Sequence, residues 1–414
     1  MHQYYLEKDD AGGSRFNQFA KYWSQKGHDV TILAGTVHYA TGEKRPEYKR
    51  KFVVTKHDGP NITVKRCYVS RAYNKNSFGR MRGYVSFAFS TAVVGLFVKK
   101  PDIILCTSPP LIAGMPGVFL KNIKRLPFVF EVRDLWPEGP IDLGAINNKW
   151  VIKFLYWMQR VIYKSSTWIN VLTPAFEKFL VDINGVPSEK ISMIPNGADL
   201  DIIKPENQNN WVRQKHGLKN KFVVTYVGAH GVANSLMQMV GAARILKEEG
   251  DDQVQIMLVG DGMEKPMLIK EAAEHNLDNI TFVDSVSKSQ IGDYINASDV
   301  CAATLKRIEQ YKTVYPNKIF DYMAAAKPII LGIDGIAREL IEDAQTGIFV
   351  EPQNPRAFAD AVMQLKNNPQ LTMQFGQNGP PYVREHFSRE KLAAKYLTIL
   401  KELIQNKRIQ NNHN

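Results

Sequence analysis

Residues 255–262 read Gln-Ile-Met-Leu-Val-Gly-Asp-Gly, a short apolar run that ends at a pair of glycines flanking an aspartate. The run has the length and the aliphatic composition of a buried strand, and a helical stretch follows at Met263. Glycines at such a junction allow the backbone to pass close to a ligand, or simply to make a tight turn. The stretch therefore predicts one strand–turn–helix unit of a parallel sheet.

Short apolar runs of the same kind alternate with helical stretches along the whole chain, which predicts an α/β protein built from βαβ units. The strands expected in the first half are Val30–Leu33, Ile103–Leu105, Phe128–Phe130 and Ile169–Leu172. The strands expected in the second half are Phe222–Tyr226, Gln255–Val259, Ile280–Val283, Asp299–Ala302 and Pro328–Leu331. Each half is therefore predicted to be a doubly wound, Rossmann-like parallel sheet.

The connection between the halves is expected at residues 196–220, which are rich in Asn, Lys, Asp and Gly and lack periodic apolar residues. This predicts an N-terminal domain at residues 1–203 and a C-terminal domain at 204–385. A break at Gly379-Pro380-Pro381 precedes a final apolar helix, so residues 386–414 are expected to return to the first domain. Only Met1–Leu6 precede a polar segment, and the first strand therefore looks curtailed.

The composition restricts the class of protein. The 414 residues are 44% hydrophobic and 23% charged, an ordinary globular mixture that argues against disorder. Three widely spaced cysteines argue against a disulfide scaffold and indicate a reducing compartment. No secretory leader is recognised, and the longest apolar run, 84–98, is roughly five residues short of the ~20 that span a bilayer. We therefore expect a cytoplasmic protein.

The net charge of +12 lies entirely in residues 1–200. Twelve Lys and Arg residues fall between Lys44 and Arg82, against two acidic residues. Aromatic and basic residues also interleave in Phe78–Lys100 and in Trp150–Tyr163. These patterns favour an anionic partner, either a bilayer surface or a nucleic acid, and the alternative is a buried core helix with a solvated basic face.

Two segments of the first half can carry chemistry. Gly12-Gly13-Ser14-Arg15 precedes a predicted helix, where backbone N–H groups could bind an anion, although a flexible turn is equally compatible. Glu131–Glu138 follows a predicted strand, so its carboxylates would face the ligand crevice of a doubly wound sheet. Asp134, supported by Arg133 and Glu138, is the strongest candidate; a buried arginine–carboxylate pair that orders a loop is the alternative.

Residues 316–328, Pro-Asn-Lys-Ile-Phe-Asp-Tyr-Met-Ala-Ala-Ala-Lys-Pro, are the most distinctive stretch of the second half. Lys318 lies in the first turn of a predicted helix, where a cation is unfavourable beside the helix dipole unless an anion binds. Asp321, one turn further on, could accept hydrogen bonds from ribose or sugar hydroxyls. His230, between glycines at the end of an earlier strand, is a further candidate.

Taken in order, these motifs resemble glycosyltransferase family 4, whose members are retaining nucleotide-sugar transferases with the GT-B fold. The resemblance covers nearly the whole chain and is carried by residues 12–15, 26–31, 131–138, 194–199, 259–262, 316–328 and 347–352. It looks most like the branch that builds bacterial surface polysaccharides and includes N-acetyl-fucosamine-type transferases. The implied architecture is two Rossmann-like domains that face each other across a cleft.

The resemblance also implies a reaction. A nucleotide-sugar donor, UDP-linked and carrying an N-acetylated deoxy sugar, would bind the C-terminal domain. The acceptor would be a polyprenyl-diphosphate-linked saccharide of O-antigen, capsule or exopolysaccharide synthesis, used at the inner face of the cytoplasmic membrane. Electrostatic stabilisation of the departing phosphate would supply much of the rate, and no metal, cofactor or nucleic acid is expected.

The residues that match the family's motifs receive roles by the same resemblance. The donor-binding set is Gly12, Gly13, Arg15, His230, Gly260, Asp261, Gly262, Val283, Asn317, Lys318 and Asp321. Within it, Lys318 and Arg15 would bind the diphosphate, to which the backbone amides of Gly12 and Gly13 would also donate. Asp321 would bind the ribose. The Gly260-Asp261-Gly262 turn and Val283 would border the base. Asp134, with Arg133 and Glu138, would position the acceptor hydroxyl or accept its proton.

The sequence departs from the family in two places. The family's first acidic residue of a pair eight positions apart falls on Thr313, and its diphosphate-binding Gly-Arg and Lys are replaced by Gly228-Ala229-His230-Gly231. These departures keep open a catalytically inactive GT-B partner protein, and the basic first half keeps open a nucleic-acid-binding protein. A sugar-nucleotide 2-epimerase is disfavoured because the matching motifs are those of transferases.

Overall fold

The computed structural model describes residues 1–7, 10, 15–37, 44–70, 77–142 and 144–412. The chain forms two compact units. Among the described residues, the first contains 1–7, 15–195 and 390–412, and the second contains Asp10 and 196–389. The passage between units thus lies at Pro195–Asn196, earlier than residue 203, because the polar stretch that follows packs within the second unit.

The first unit has two sheets. Its strands are β1 (Val30–Gly35), β2 (Val53–His57), β3 (Ile62–Cys67), β4 (Ile104–Thr107), β5 (Phe128–Val132), β6 (Trp168–Val171) and β7 (Ile191–Met193). Their orders are β2-β3-β1 and β4-β5-β6-β7, and every pairing is parallel except that of β2 with β3. Its helices up to Pro195 are α1 (Arg15–Gln25), α2 (Ser77–Leu96), α3 (Met115–Lys124), α4 (Glu138–Asp142), α5 (Lys149–Ser165) and α6 (Pro174–Asp182).

The segment Met1–Gln3 lies between these two sheets. Its backbone exchanges hydrogen bonds with Leu33 and Gly35 of β1, at 3.0 and 2.8 Å. It also exchanges hydrogen bonds with Leu105 and Thr107 of β4, at 2.6 and 3.1 Å. Three residues therefore occupy the central strand position and join β1 to β4.

The second unit contains one fully parallel sheet. Its strands are β8 (Phe222–Val227), β9 (Val254–Val259), β10 (Ile280–Val283), β11 (Val300–Thr304), β12 (Ile329–Gly332) and β13 (Gly347–Phe349). The order β10-β9-β8-β11-β12-β13 reverses direction between β8 and β11. Ligands of doubly wound sheets bind at the carboxyl ends of strands beside such a reversal, which here means the ends of β8 and β11.

Helices flank this second sheet. They are α7 (Trp211–Lys215), α8 (Met237–Glu248), α9 (Lys265–Glu274), α10 (Lys288–Asn296), α11 (Asn317–Ala324), α12 (Ile336–Asp343), α13 (Pro355–Asn367) and α14 (Pro369–His386). The cores on the sheet are almost entirely aliphatic and aromatic, with Tyr226 and Phe358 in one and Phe320 and Tyr322 in another. The sheet edge that carries the candidate site therefore rests on rigid elements.

The predicted break at Gly379-Pro380-Pro381 is wrong, because α14 runs through both prolines. Proline removes helix hydrogen bonds, so packing must hold the helix together. A side-chain carbon on Gly376 or Gly379 would overlap the carbonyl oxygens of Ala326 and Met323. Close contact with α11 and the turn after it thus overrides the local signal.

The last helix, α15 (Arg389–Asn412), packs in the first unit against α1. The indole N–H of Trp23 donates to the Ala393 carbonyl at 3.0 Å, and Tyr396 meets the Phe19 ring edge-on. Together these residues form a core with Ile194 and strands β1 and β3. The C-terminal segment is therefore a core element of the first unit. No helix among the described residues has the length and apolar character to cross a bilayer.

Candidate active site

Two glycine-containing loops meet backbone to backbone at the carboxyl ends of β8 and β9. The His230 amide donates to the Asp261 carbonyl at 2.8 Å, and the Glu264 amide donates to the His230 carbonyl at 2.9 Å. Gly260 has φ +144°, and a side-chain carbon there would overlap the Gly228 carbonyl oxygen. A side-chain carbon on Gly262 would lie 2.5 Å from the His230 carbonyl. The glycines are therefore required for close contact between the loops.

His230 is fully buried in this contact, and neither ring nitrogen has a hydrogen-bond partner among the described residues. Burial lowers the pKa of His230 to about 4, with a further contribution from Lys265. The imidazole is therefore neutral near pH 7. A buried ring with both nitrogens unbonded costs free energy unless a ligand supplies a partner.

Lys265, which the sequence analysis did not single out, fixes the same loops. Its ammonium donates to the carbonyls of Gly260 and Val283, at 3.0 and 3.2 Å, and pairs with Asp284 at 2.5 Å. Its position in the first turn after the glycine loop was the available signal. These contacts join the ends of β9 and β10 and leave the Lys265 ammonium fully engaged.

Val283 is the last residue of β10, and Asp261 lies in the turn after β9. The Val283 side chain packs in a core with Val223 and Met257, so its carbonyl, bonded to Lys265, faces the loop instead. That Val283 borders the base stays a prediction. Asp261 is exposed and its carboxylate accepts from the Gly262 amide at 2.7 Å, which shapes the turn.

Lys318 lies in the first turn of α11, after the exposed Asn317, and its ammonium reaches the end of β8. The nitrogen lies 3.5 Å from the centre of the Tyr226 ring, and a side-chain carbon on Gly228 would be 2.9 Å from it. Within the described residues no carboxylate pairs with it. Desolvation lowers the pKa of Lys318 well below its ordinary value. The Lys318 amine therefore contacts the face of an aromatic ring where a charged lysine would ordinarily have a carboxylate.

Tyr226 and Tyr322, which were also missed, set this geometry. The Tyr226 hydroxyl donates to the Ala229 carbonyl at 2.9 Å, and the Val227 amide donates to the Tyr322 hydroxyl at 3.0 Å. The first bond fixes the ring beneath Lys318, and the second fixes α11 to β8. In the sequence both tyrosines look like ordinary core residues. Their role in positioning Lys318 and α11 is visible only in the folded structure.

Asp321 belongs to a charged cluster with Asp199, Lys288 and Arg389. Desolvation raises the pKa of Asp321 to about 6, opposed by Arg389 and Lys288. Desolvation likewise lowers the pKa of Lys288 to about 8, with Arg389 as the next cause. The cluster draws on residues far apart in the chain, so the sequence pattern identified only Asp321.

Arg15 does not fit its predicted role. Its guanidinium is buried in the first unit, where it bonds the Pro195 carbonyl, the Ile194 carbonyl at 2.7 Å and the Glu131 carboxylate at 3.3 Å. The Asn170 amide donates to the same carboxylate at 3.1 Å. Arg15 is thus an internal structural cation. Gly12 and Gly13, its predicted neighbours at the diphosphate, lie outside the described residues.

Of the candidates in residues 131–138, Asp134 is the one whose location suits contact with a ligand. Asp134 has an exposed surface at the carboxyl end of β5, and desolvation of its carboxyl raises its pKa to about 6, opposed by Arg133. Glu138 instead accepts from the Gln159 amide at 3.2 Å, and the same amide bonds the Trp136 carbonyl at 2.8 Å. Glu138 therefore anchors the loop to α5, whereas Asp134 remains free to meet a ligand.

The described residues contain no group of three His, Cys, Asp or Glu side chains that could hold a metal ion. The expectation of a metal-independent reaction stays a prediction.

Comparison with known proteins identifies the family to which the chain belongs. A glycosyl transferase 4-like domain matches residues 11–197, and a glycosyl transferases group 1 domain matches residues 208–381. The chain belongs to the GT-B glycosyltransferases. The predicted α/β fold of two Rossmann-like domains is thereby confirmed, whereas the N-acetyl-fucosamine branch stays a prediction.

Several named relatives of this glycosyltransferase are distant. Alpha-D-kanosaminyltransferase of Streptomyces kanamyceticus is 27% identical over 60% of this chain and 63% of its own. The capsular polysaccharide biosynthesis glycosyltransferase CapM of Staphylococcus aureus is 24% identical over 74% of this chain and 80% of its own. An uncharacterized glycosyltransferase of Methanocaldococcus jannaschii is 23% identical over 59% and 61%. The first and third matches span about three fifths of each relative.

Solved structures share the fold over nearly the whole glycosyltransferase. Sucrose-phosphate synthase from Thermosynechococcus elongatus has a TM-score of 0.73 at 19% identity, covering 98% of this chain and 95% of that one. Anabaena HepE in complex with UDP has a TM-score of 0.69 at 18% identity, covering 97% and 99%.

Proposed function

We propose that the chain is a retaining glycosyltransferase that moves a sugar from a UDP-linked donor to a lipid-linked saccharide acceptor during bacterial surface-polysaccharide synthesis. The donor sugar would be an N-acetylated deoxy sugar and the product O-antigen, capsule or exopolysaccharide, made at the inner face of the cytoplasmic membrane. The HepE complexes with UDP and with UDP-glucose support the nucleotide. CapM and the poly(ribitol-phosphate) alpha-N-acetylglucosaminyltransferase of Staphylococcus aureus support a surface polymer.

The observation that carries this proposal is the unpaired Lys318 beside the end of β8. An ammonium desolvated on an aromatic face lacks a counter-ion, and a diphosphate would supply one. The first-turn amides of α11 and its dipole favour the same negative charge. His230, with two unbonded ring nitrogens, would gain a partner from the same ligand if the loop after β8 moves enough to expose its buried ring. We assign Lys318 and His230 to the diphosphate, and Asp321 to the ribose.

The chemical step follows from these assignments. The bond between the anomeric carbon and the diphosphate oxygen breaks, and a protonated Lys318 stabilises the negative charge that develops on the departing phosphate. The acceptor hydroxyl forms the new bond on the same face of the sugar. Its proton passes to the departing phosphate or to Asp134, whose raised pKa suits a proton acceptor near neutral pH.

The test is a thermal-shift panel with UDP, GDP, ADP and TDP on the wild type and on Lys318→Met. A ligand that binds only the native state at 100 times its Kd adds ~2.7 kcal/mol of stability. We expect UDP alone to raise Tm, and the Met variant to lose that shift. The ligand-free variant should melt higher than the wild type, because an ammonium no longer has to be desolvated on folding.

The matched control is Lys270→Met, an exposed lysine of α9 that pairs with Glu274 at 3.5 Å. It should leave both Tm and the UDP shift unchanged. Selectivity for GDP would replace the donor while keeping the reaction class. No shift with any nucleotide would favour the inactive-partner alternative, which Thr313 supports because the family has an acidic residue at that position.

A further inference from the structure

Three helices of the first unit present large apolar side chains to solvent. These side chains are Phe89 on α2, Phe119 and Ile123 on α3, and Trp150, Phe154 and Trp157 on α5. Trp150 is 79% exposed and Phe89 is 66% exposed. Single exposed apolar residues are ordinary, but a group on adjoining elements marks an interaction surface.

The exposed side chains follow helical periodicity. Phe119 and Ile123 are four residues apart, and Trp150, Phe154 and Trp157 occupy successive turns of one helix side. A different side of α5, roughly 100° around the helix axis, carries the buried Leu155, Met158 and Ile162. Each helix therefore has one apolar side in the core and a second apolar side in solvent, which core packing alone does not require.

These stripes belong to one surface, because α3 packs against both α2 and α5. The Lys124 ammonium donates to the carbonyls of Leu96 and Val98 at the end of α2, at 2.9 and 3.0 Å. The Lys121 ammonium donates to the Ser165 carbonyl at the end of α5. We call the solvent side of α2, α3 and α5 the three-helix face.

The charge of this face has one sign. The helices are 20, 10 and 17 residues long, and none contains an Asp or Glu. Their basic residues are Arg80, Arg82, Lys121, Lys124, Lys149, Lys153, Arg160 and Lys164. Desolvation raises the pKa of Tyr156, and the carboxylates of Glu138 and Asp142 add to the rise, so these two acidic groups lie at the margin of α5.

The part of the basic segment that precedes α2, in its described residues 44–70, does not form a comparable surface. Glu7 lies within 3.1 to 3.6 Å of the charged groups of Lys56, Arg45 and Arg66, and Arg66 is buried. Its charge is therefore partly neutralised inside the unit. Lys49, Arg50 and Lys51 remain exposed there, but beside the single exposed aromatic residue Phe52. The three-helix face combines basic residues with a group of exposed aromatic side chains.

We propose that the three-helix face binds an anionic bilayer, with its aromatic side chains in the headgroup region and its lysines and arginines on the lipid phosphates. Interleaved aromatic and basic residues on helices suit that interface. A second copy of the chain is a poor occupant, because two such faces would bring like charges together. The inference deepens the proposed function: Gln159 of α5 holds the loop that carries Asp134, so the bound lipid surface lies beside the acceptor segment.

The test is co-sedimentation of the full chain with vesicles of phosphatidylglycerol and of phosphatidylcholine. We expect binding to phosphatidylglycerol that weakens as salt rises from about 0.05 M to about 0.5 M, because screening shortens the range of the charges. Lys149→Ser and Lys153→Ser should each weaken partitioning roughly five-fold, since a basic residue near an anionic surface contributes ~1 kcal/mol. Trp150→Ser/Phe154→Ser should weaken it further at any salt.

The matched control is Phe52→Ser, an aromatic residue of similar exposure that precedes β2. It should bind vesicles as the wild type does. Brominated phosphatidylglycerol should quench tryptophan fluorescence, and Trp150→Phe/Trp157→Phe should remove most of that quenching. Binding that is equal on both lipids, or unchanged in the Trp150→Ser/Phe154→Ser variant, would overturn the proposal.

Two further measurements distinguish failure of the bilayer proposal from failure of the proposed function. A wild type that elutes as a dimer and becomes monomeric in Trp150→Ser/Phe154→Ser would show that a second copy covers the face, against the proposal. The UDP thermal shift should be the same in all surface variants. A UDP shift without vesicle binding would overturn the bilayer surface alone, whereas vesicle binding without any nucleotide shift would overturn the proposed function alone.

Discussion

At the scale of single residues, the sequence identified charges better than it identified their partners. Lys318 stood out because a cation at a helix start is unfavourable without an anion, and that argument is local. Arg15 looked similar, yet its partners, the carbonyls of Ile194 and Pro195, come from 179 and 180 residues away. A buried pair of that kind has no local signal, so the sequence could not separate an internal cation from a ligand-binding one.

Asp134 gives a prediction at this scale. Its pKa is raised to about 6, so the carboxylate that would accept a proton forms only as pH rises through that value. We expect kcat/KM for sugar transfer to fall tenfold per pH unit below about 6 and to level off above it. Asp134→Asn should lower the plateau by roughly 10²–10⁴-fold and remove this dependence.

The matched variant for that profile is Asp142→Asn, an exposed carboxylate of the neighbouring helix α4. It should keep both the plateau and the midpoint near 6. An unchanged profile in Asp134→Asn would assign the proton to the departing phosphate, and Asp134 would then have no direct part in the reaction.

At the scale of elements, the regular strands were predictable and the irregular ones were not. The aliphatic runs at β8, β9, β11 and β12 lie on strands that are buried on both faces, and such strands have continuous apolar sequences. β2 and β3 carry lysine and arginine between apolar residues, and their charges hid the strand pattern inside the basic segment. α14 was missed because its prolines are tolerated by close packing on α11, which is tertiary information.

The contact between the two glycine loops gives a prediction at this scale. In Gly262→Ala the new carbon would lie 2.5 Å from the backbone of His230, so the loop after β8 must move. We expect a loss of about 1–3 kcal/mol of stability in urea unfolding, and weaker UDP binding. Gly231→Ala, where the nearest atom would be 3.7 Å away, should cost much less. Equal costs at the two positions would show that the loops are not held by this contact.

At the scale of the whole molecule, the α/β class followed from the alternation of strands and helices. The order of the strands in each sheet did not, because pairing between distant segments is set by packing. The bridge of Met1–Gln3 between β1 and β4 is one such case. Three residues are too few for a strand signal, and their hydrogen bonds show their place only in the folded unit.

The docking of α15 gives a prediction at this scale. Tyr396 is fully buried against Phe19 and Trp23, so Tyr396→Ala should destabilise the first unit by about 3–5 kcal/mol. UDP should still protect the second unit from proteolysis in this variant. Thr398→Ala, an exposed position of the same helix, should behave as the wild type. Loss of protection in both units would mean that they unfold together.

Because α15 packs in the first unit, the two units cannot complete their folding in chain order during synthesis on the ribosome. Multidomain chains generally fold from the N-terminus as they are made. Here Asn196–Arg389 is contiguous, whereas the core around Phe19 and Trp23 closes only when α15 has been synthesised. The second unit is therefore complete first. A polypeptide interrupted before Arg389 would carry a complete second unit together with a first unit whose apolar core is exposed, and chaperones and proteases act on chains of that kind.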